Sequence, residues 1–250
     1  GPKIGCKNRV QKKETEDMEK IIGILGGMGP EATADFFQKI IKNTPAGRDQ
    51  DHPRVIIYNN PKIPDRTEHL IHQKESPLPE LIDSARKLEE WGADFITIPC
   101  NTAHFFFSKI RDAVRIPVIN MIELTAAVVA TADAENIAGL FATEGTVKAG
   151  VYAEVFTKRG VTMVYPSEKE QKTVTSLIKT VKRGDFSDSA ESTLKKEALS
   201  ACSSLIERGV SSIILGCTEL PIFFGKIDHS YKLVDPTEIL AKEAVRIALS

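Results

Sequence analysis

The sequence predicts an α/β protein with parallel sheets, built from two similar halves. Three observations carry this. Short apolar runs alternate along the chain with segments of helical spacing, the pattern that yields parallel strands with helices packed on them. Two of those runs end in a cysteine, TIPC at Cys100 and ILGC at Cys217. The stretch LIDSARKLEEWGADFITIPCNTA aligns without a gap on ALSACSSLIERGVSSIILGCTEL, so that Leu88, Glu90, Gly92 and Cys100 fall on Leu205, Glu207, Gly209 and Cys217, each 117 residues later. The opening of the halves agrees almost as well, Gly23 falling on Gly139 and Gly29 on Gly145 at an offset of 116.

The elements follow in order. KIIGIL (20–25) reads as a buried strand and PEATADFFQKIIKNT (30–44) as a helix with Pro30 in its first turn. RVIIYNN (54–60) is a strand, and the Pro-rich PKIPDRTEH that follows is a loop. A helix over 78–92 closes on Gly92, and ADFITIPC (93–100) is the next strand. PVINMIE (117–123) reads as a strand and 124–135 as an Ala/Val-rich helix. The strand–loop–helix opening then restarts over 136–160. TMVYP is a strand, 173–184 and 197–209 are helices, SSIILGC (211–217) is a strand, and LVDP leads into a final helix at 237–250. The expected organisation is a tail or cloning remnant at 1–19, one lobe over 20–120 and a second over 121–236. The 237–250 helix is expected to pack back on the first lobe.

Composition narrows the function classes. The chain has 250 residues, 42% of them hydrophobic, with 33 basic and 34 acidic side chains and a formal net charge of -1. That is enough chain for a sizeable core and too little basic excess for a nucleic-acid partner. No apolar run approaches the roughly 18 residues of a membrane span, and the N-terminus lacks a secretory apolar region, so a cytoplasmic location with free thiols is expected. Cys6 falls in the tail, and Cys202, in a helix, reads as a small buried hydrophobe.

Cys100 and Cys217 sit where open α/β sheets place ligands, at the carboxyl ends of strands. Helices starting just after each would favour thiolate and bind an anion, and Thr102 and Thr218 add hydroxyls. Two thiols facing one carbon can take a proton from one face and return one to the other, which inverts a stereocentre. The carboxylate next to that carbon needs preorganised donors as charge develops. Arg66, in IPDRT, offers a planar bidentate donor, and Lys182, in VKRG, a second cation for a second carboxylate. Met28 lies in the turn after the first strand, which can cradle a carboxylate. His104 and Glu219 are candidates to support the thiols from behind.

Other readings stay open at this stage. GGMGPEA carries the outline of a dinucleotide fingerprint through Gly27, Gly29 and Ala32, but Asn59 and Asn60 stand where the acidic residue belongs. Cys100, His104 and Cys217 could supply three zinc ligands, without a fourth. Cys100 with a histidine would suit a hydrolase, leaving Cys217 unexplained. A two-lobed binding protein explains a cleft but not paired thiols.

GILGGMGPEAT, IPDRT, PCNTAH, the ATEGT turn, VKRG and LGCTE together resemble the aspartate/glutamate racemase superfamily, and within it the aspartate racemases that work without pyridoxal phosphate. The pieces span about 20–240. Glutamate racemases open with an Asp-Ser type of motif where Met28-Gly29 stands here. The resemblance implies two pseudo-symmetric flavodoxin-like lobes with the active site in the cleft between them, a homodimer, and no metal or organic cofactor. It places the bases on Cys100 and Cys217. Substrate contacts fall on Arg66, Asn101, Thr102, Ala103 and Lys182, with Thr143 and Thr218 as further candidates. Aspartate is the expected ligand, with glutamate or broad-specificity racemisation, maleate isomerisation and arylmalonate decarboxylation as neighbouring activities.

Overall fold

The computed structural model describes residues 19–132, 136–184 and 188–250. The expectations for 1–18, Cys6 included, and for the end of the 124–135 helix lie outside them.

β1 (Ile22–Gly26) is buried at every position, as suits an apolar run covered on both faces. α1 (Pro30–Asn43) opens on Pro30, where the missing N–H has no partner to lose. β2 (Val55–Asn59) forms an edge strand. The segment read as a loop then contains a helix, α2 (Arg66–His72). Asp65 caps it, its carboxylate accepting the Glu68 N–H at 2.9 Å. That cap outweighs the Pro-rich lead-in. α3 (Leu78–Glu90) and β3 (Phe95–Thr97) follow, then a 3-10 turn at Thr102–Phe106 that runs into α4 (Phe107–Arg111).

The strand expected at 117–123 is reduced to one parallel bridge between Ile96 and Val118. Asn120 accepts the Ile122 and Glu123 N–H groups at 3.0 and 3.1 Å, and this cap starts α5 (Met121–Ala132) inside the supposed strand. β4 (Ile137–Ala142) leads into α6 (Glu144–Lys148) and α7 (Ala153–Lys158). The single helix of the first half is here split at Gly150, which takes φ 64°. β5 (Thr162–Val164) precedes α8 (Glu168–Arg183), which begins before 173 because Ser167 and Glu170 close a capping box. α9 (Asp188–Glu207), β6 (Ser212–Gly216), α10 (Glu219–Phe224), β7 (Leu233–Val234) and α11 (Pro236–Ala248) complete the chain.

The strands form two parallel sheets, ordered β2-β1-β3 and β5-β4-β6-β7. The first three positions repeat the same topology. Gly23 lies opposite Ile96 in one sheet and Gly139 opposite Ile213 in the other. Both glycines are needed for the same reason. A Cβ on Gly23 would stand 2.9 Å from the Ala93 methyl, and one on Gly139 would stand 3.2 Å from Val210 and 2.9 Å from Leu205. Ala93 and Val210 are again 117 residues apart. The duplication read from sequence is therefore a duplication of packing.

Each sheet has its own apolar core. Leu25, Leu81, Ile96 and Ile98 fill one, and Phe141, Leu177, Leu205 and Ile213 the other. Cys202 belongs to the second core, where burial pushes its thiol up to about 12, so it behaves as a small apolar side chain. Leu240, Ala241 and Ala244 of α11 pack with Ile24, Phe36 and Met121. Among the described residues no helix is long and apolar enough to cross a membrane.

Candidate active site

β3 and β6 point the same way in their sheets, and the chain leaves each through a cysteine. Cys100 and Cys217 are both almost fully buried and line one cavity. Met28, Arg66, Asn101, Thr102, Thr143, Lys182 and Thr218 line it with them, and Asp65 and Thr67 join from α2 and its cap. The cavity leaves about 10 Å³ for the centres of water-sized molecules, room for roughly one water. A groove of about 240 Å³ lies directly outside, sharing Asp65, Thr67, Thr143 and Lys182 with it. Larger hollows elsewhere on the second half, one lined by Tyr165, Gln171 and Lys172, reach neither thiol.

The two thiols have different surroundings. Cys217 donates to Glu219 Oε2 at 2.9 Å, and Glu219 is itself buried. Burial, and then the neighbouring Glu219 charge, push the Cys217 thiol well above its ordinary value, against a weaker opposite pull from Lys182. The Cys100 carbonyl is held instead by His104, whose Nδ1 meets it at 2.8 Å while Nε2 accepts the Met121 N–H at 3.1 Å. Burial lowers the His104 pKa to about 4, so the ring is neutral. With both nitrogens engaged, His104 is free neither to ligate a metal nor to act as base for Cys100. Among the described residues no group of three or more His, Cys, Asp or Glu is placed to hold a metal ion.

Arg66 is buried, yet among the described residues it has no carboxylate partner. Its guanidinium donates to the carbonyls of Met28 at 3.1 Å, Pro64 at 3.3 Å and Ile63 at 3.4 Å, and Nε has no partner. Charged groups are rarely buried without a counter-ion, so this guanidinium could receive an anion. Lys182 is exposed as a residue, and it too makes no ion pair among the described residues. Partial desolvation lowers its pKa, but Glu219 and Cys217 raise it further, and the net shift is upward. Asp65 is pushed up by burial, but the Glu68 N–H, Arg66 and Lys182 draw it below its ordinary value.

Hydroxyls and amides bridge the halves. Thr102 Oγ1 lies 2.8 Å from Thr146 Oγ1 and 3.2 Å from Thr143 Oγ1. Tyr152 donates to Asn101 Oδ1 at 2.5 Å. Tyr152 carried no sequence signal; Thr146 closes the ATEGT turn but was not singled out, and Asp65 had a signal in the D-x-x-E cap. Ala103 is fully buried with Leu81 and Ile96 in the apolar core and is not among the residues that line this cavity.

The sequence profile of the Asp/Glu/hydantoin racemase family matches residues 25–244. The chain is 30% identical over 237 residues to the broad specificity amino-acid racemase RacX of Bacillus subtilis, covering 92% of this chain and 99% of that protein. It is 31% identical over 158 residues to a glutamate racemase of Desulforudis audaxviator, covering 61% of this chain and 55% of that one. The structure of Picrophilus torridus aspartate racemase superposes with a TM-score of 0.79 at 33% identity, over 92% of this chain and 94% of that one. Both sheets match the two-lobed fold of that neighbour, and the chain belongs to the Asp/Glu/hydantoin racemase family.

Proposed function

We propose that the protein interconverts L- and D-aspartate by proton transfer between two cysteines, without an organic cofactor. The observation that carries this reading is the composition of one cavity: two buried thiols, and two cations, Arg66 and Lys182, that have no ion-pair partner among the described residues. In one direction the Cys100 thiolate takes the Cα proton. The electron pair of the broken C–H bond moves into the adjacent carboxylate, and the carbon then takes the Cys217 thiol proton on its opposite face. Cys100 ends as thiol and Cys217 as thiolate, ready for the reverse reaction. Arg66 grips one carboxylate in its planar fork and Lys182 meets the other. Glu219 Oε2, the acceptor for the Cys217 thiol, orients that thiol as the proton donor of this direction.

A broad-specificity racemase is the second reading, favoured by the nearly full-length likeness to a relative of that name. Aspartate is preferred here because the cavity presents a cation on each side, which a single-carboxylate amino acid would leave half unused.

The test is solvent exchange. Reduced protein is incubated with L-aspartate in D₂O, and α-deuteration and chirality are followed together, with glutamate and alanine as comparators. Deuterium in D-aspartate supports the reading. Cys100→Ser and Cys217→Ser should each lower racemisation by about three orders of magnitude or more. Near-normal turnover in either would remove the two-base mechanism, and equal rates on alanine would favour broad specificity.

A further inference from the structure

Tyr152 sits just before α7, in the second half of the chain, with its ring buried and packed on Phe156 at a centroid distance of 5.3 Å. Its hydroxyl donates to Oδ1 of Asn101, the residue after Cys100, in the first half. At 2.5 Å the contact is short even for O–H···O. Among the described residues the hydroxyl has no other hydrogen-bond partner.

With Oδ1 taken, Nδ2 must face the other way. It is buried, has no partner among the described residues, and belongs to a residue that lines the cavity with Cys100 and Arg66. The opposite amide orientation would turn a carbonyl oxygen towards bound carboxylate and leave the phenol hydrogen without an acceptor. Burial, with charges at Asp235 and Cys217 adding to it, raises the Tyr152 pKa well above the ordinary value, so the phenol stays a donor. A tyrosine that only filled the core would need some acceptor for its hydroxyl. It would not need the one amide whose other end is an orphan donor in the cleft.

We propose that Tyr152 is a positioning residue: from the second half it fixes the Asn101 amide so that Nδ2 donates to a carboxylate oxygen of the substrate. The inference rests on the racemase reading.

The experiment is a double-mutant cycle with Tyr152→Phe, Asn101→Ala and both together. It is read by kcat/KM for aspartate racemisation and by calorimetric binding of succinate, an unreactive dicarboxylate, with Tm as the folding control. Tyr152→Phe should lower kcat/KM about tenfold or more, yet change it less than about twofold in the Asn101→Ala background. Equal effects in both backgrounds would mean that Tyr152 acts through packing and would overturn the inference, as would a wild-type rate for Tyr152→Phe. If the wild type exchanges no aspartate proton, the racemase reading fails by itself, and the succinate cycle still decides the orientation of the amide. If the wild type also fails to bind succinate, both fall. A further readout needs no Tyr152 variant. The ¹⁵N-labelled Asn101 side-chain amide must shift on adding succinate, and an unmoved resonance refutes the donor role.

Discussion

Acidification should weaken the fold in a way traceable to His104. Its ring is 7% exposed and neutral, with a pKa of about 4 against an ordinary 6.5. A histidine depressed in the folded state gives stability that is fully present above the unfolded pKa and is lost as pH falls towards the folded one. Between those values the unfolded chain binds the proton and the native chain refuses it. The whole shift corresponds to roughly 3 kcal/mol, and about 2 kcal/mol of that falls between pH 7 and pH 5. The assay is urea denaturation at several pH values, comparing the wild type with His104→Gln. The variant loses a buried hydrogen bond, so it should be less stable at pH 7 by about 1–3 kcal/mol. Its stability should then fall less steeply on acidification, and the two curves should converge by about pH 5. Parallel curves would refute the argument, since they would place the acid-sensitive group elsewhere.

Other perturbations bear on the site. Arg66→Lys removes the planar fork while keeping the charge, and should raise the aspartate KM by about one to two orders of magnitude; an unchanged KM would strip Arg66 of its role. Glu219→Gln removes a charge that raises the Cys217 pKa, so thiolate absorbance in a Cys100→Ser background should develop at lower pH. A titration that stays where it was would detach Glu219 from the thiol. Gly145→Val should separate α6 from α2, because a Cβ at 145 would stand 2.8 Å from Thr67 Oγ1 and 2.9 Å from its Cα. We expect kcat/KM to fall about tenfold or more with little change in Tm, since small displacements in a closed site cost heavily. A wild-type rate would show that this contact is dispensable to closure.

What was legible in the sequence was whatever a short stretch determines by itself. The Gly-bearing strands, the glycine-closed helices and the register between Cys100 and Cys217 all rest on local pattern. Two of the errors are local as well, each arising where a single capping side chain outweighs its neighbours. Asp65 starts a helix in a segment that prolines made look irregular, and Asn120 starts one inside an apolar run that looked extended. Pairings between the halves left no such mark. Thr102 with Thr146 and Asn101 with Tyr152 join positions 44 and 51 residues apart, and nothing in either local pattern refers to the other. That the Arg66 guanidinium meets carbonyls and, among the described residues, no carboxylate is equally invisible in the sequence, since it is a property of the packed structure.

The two cysteines hold equivalent places in a duplicated fold, but their surroundings are not duplicated. Cys217 is followed by a buried carboxylate that accepts its hydrogen bond, while Cys100 is followed by an amide tied across the cleft and a neutral histidine on its carbonyl. A symmetric pair would be ill suited to the proposed chemistry. Two identical thiols around one carbon would share the same affinity for the single proton that must be on one of them. Aspartate, moreover, presents unequal carboxylates to the two sides. The duplication therefore brings both sulfurs to one cavity, and the divergence of the neighbours, Arg66 and His104 in one half against Glu219 and Lys182 in the other, supplies the difference between them. On this argument, exchanging the segments after the two cysteines should cost more activity than any single change within either.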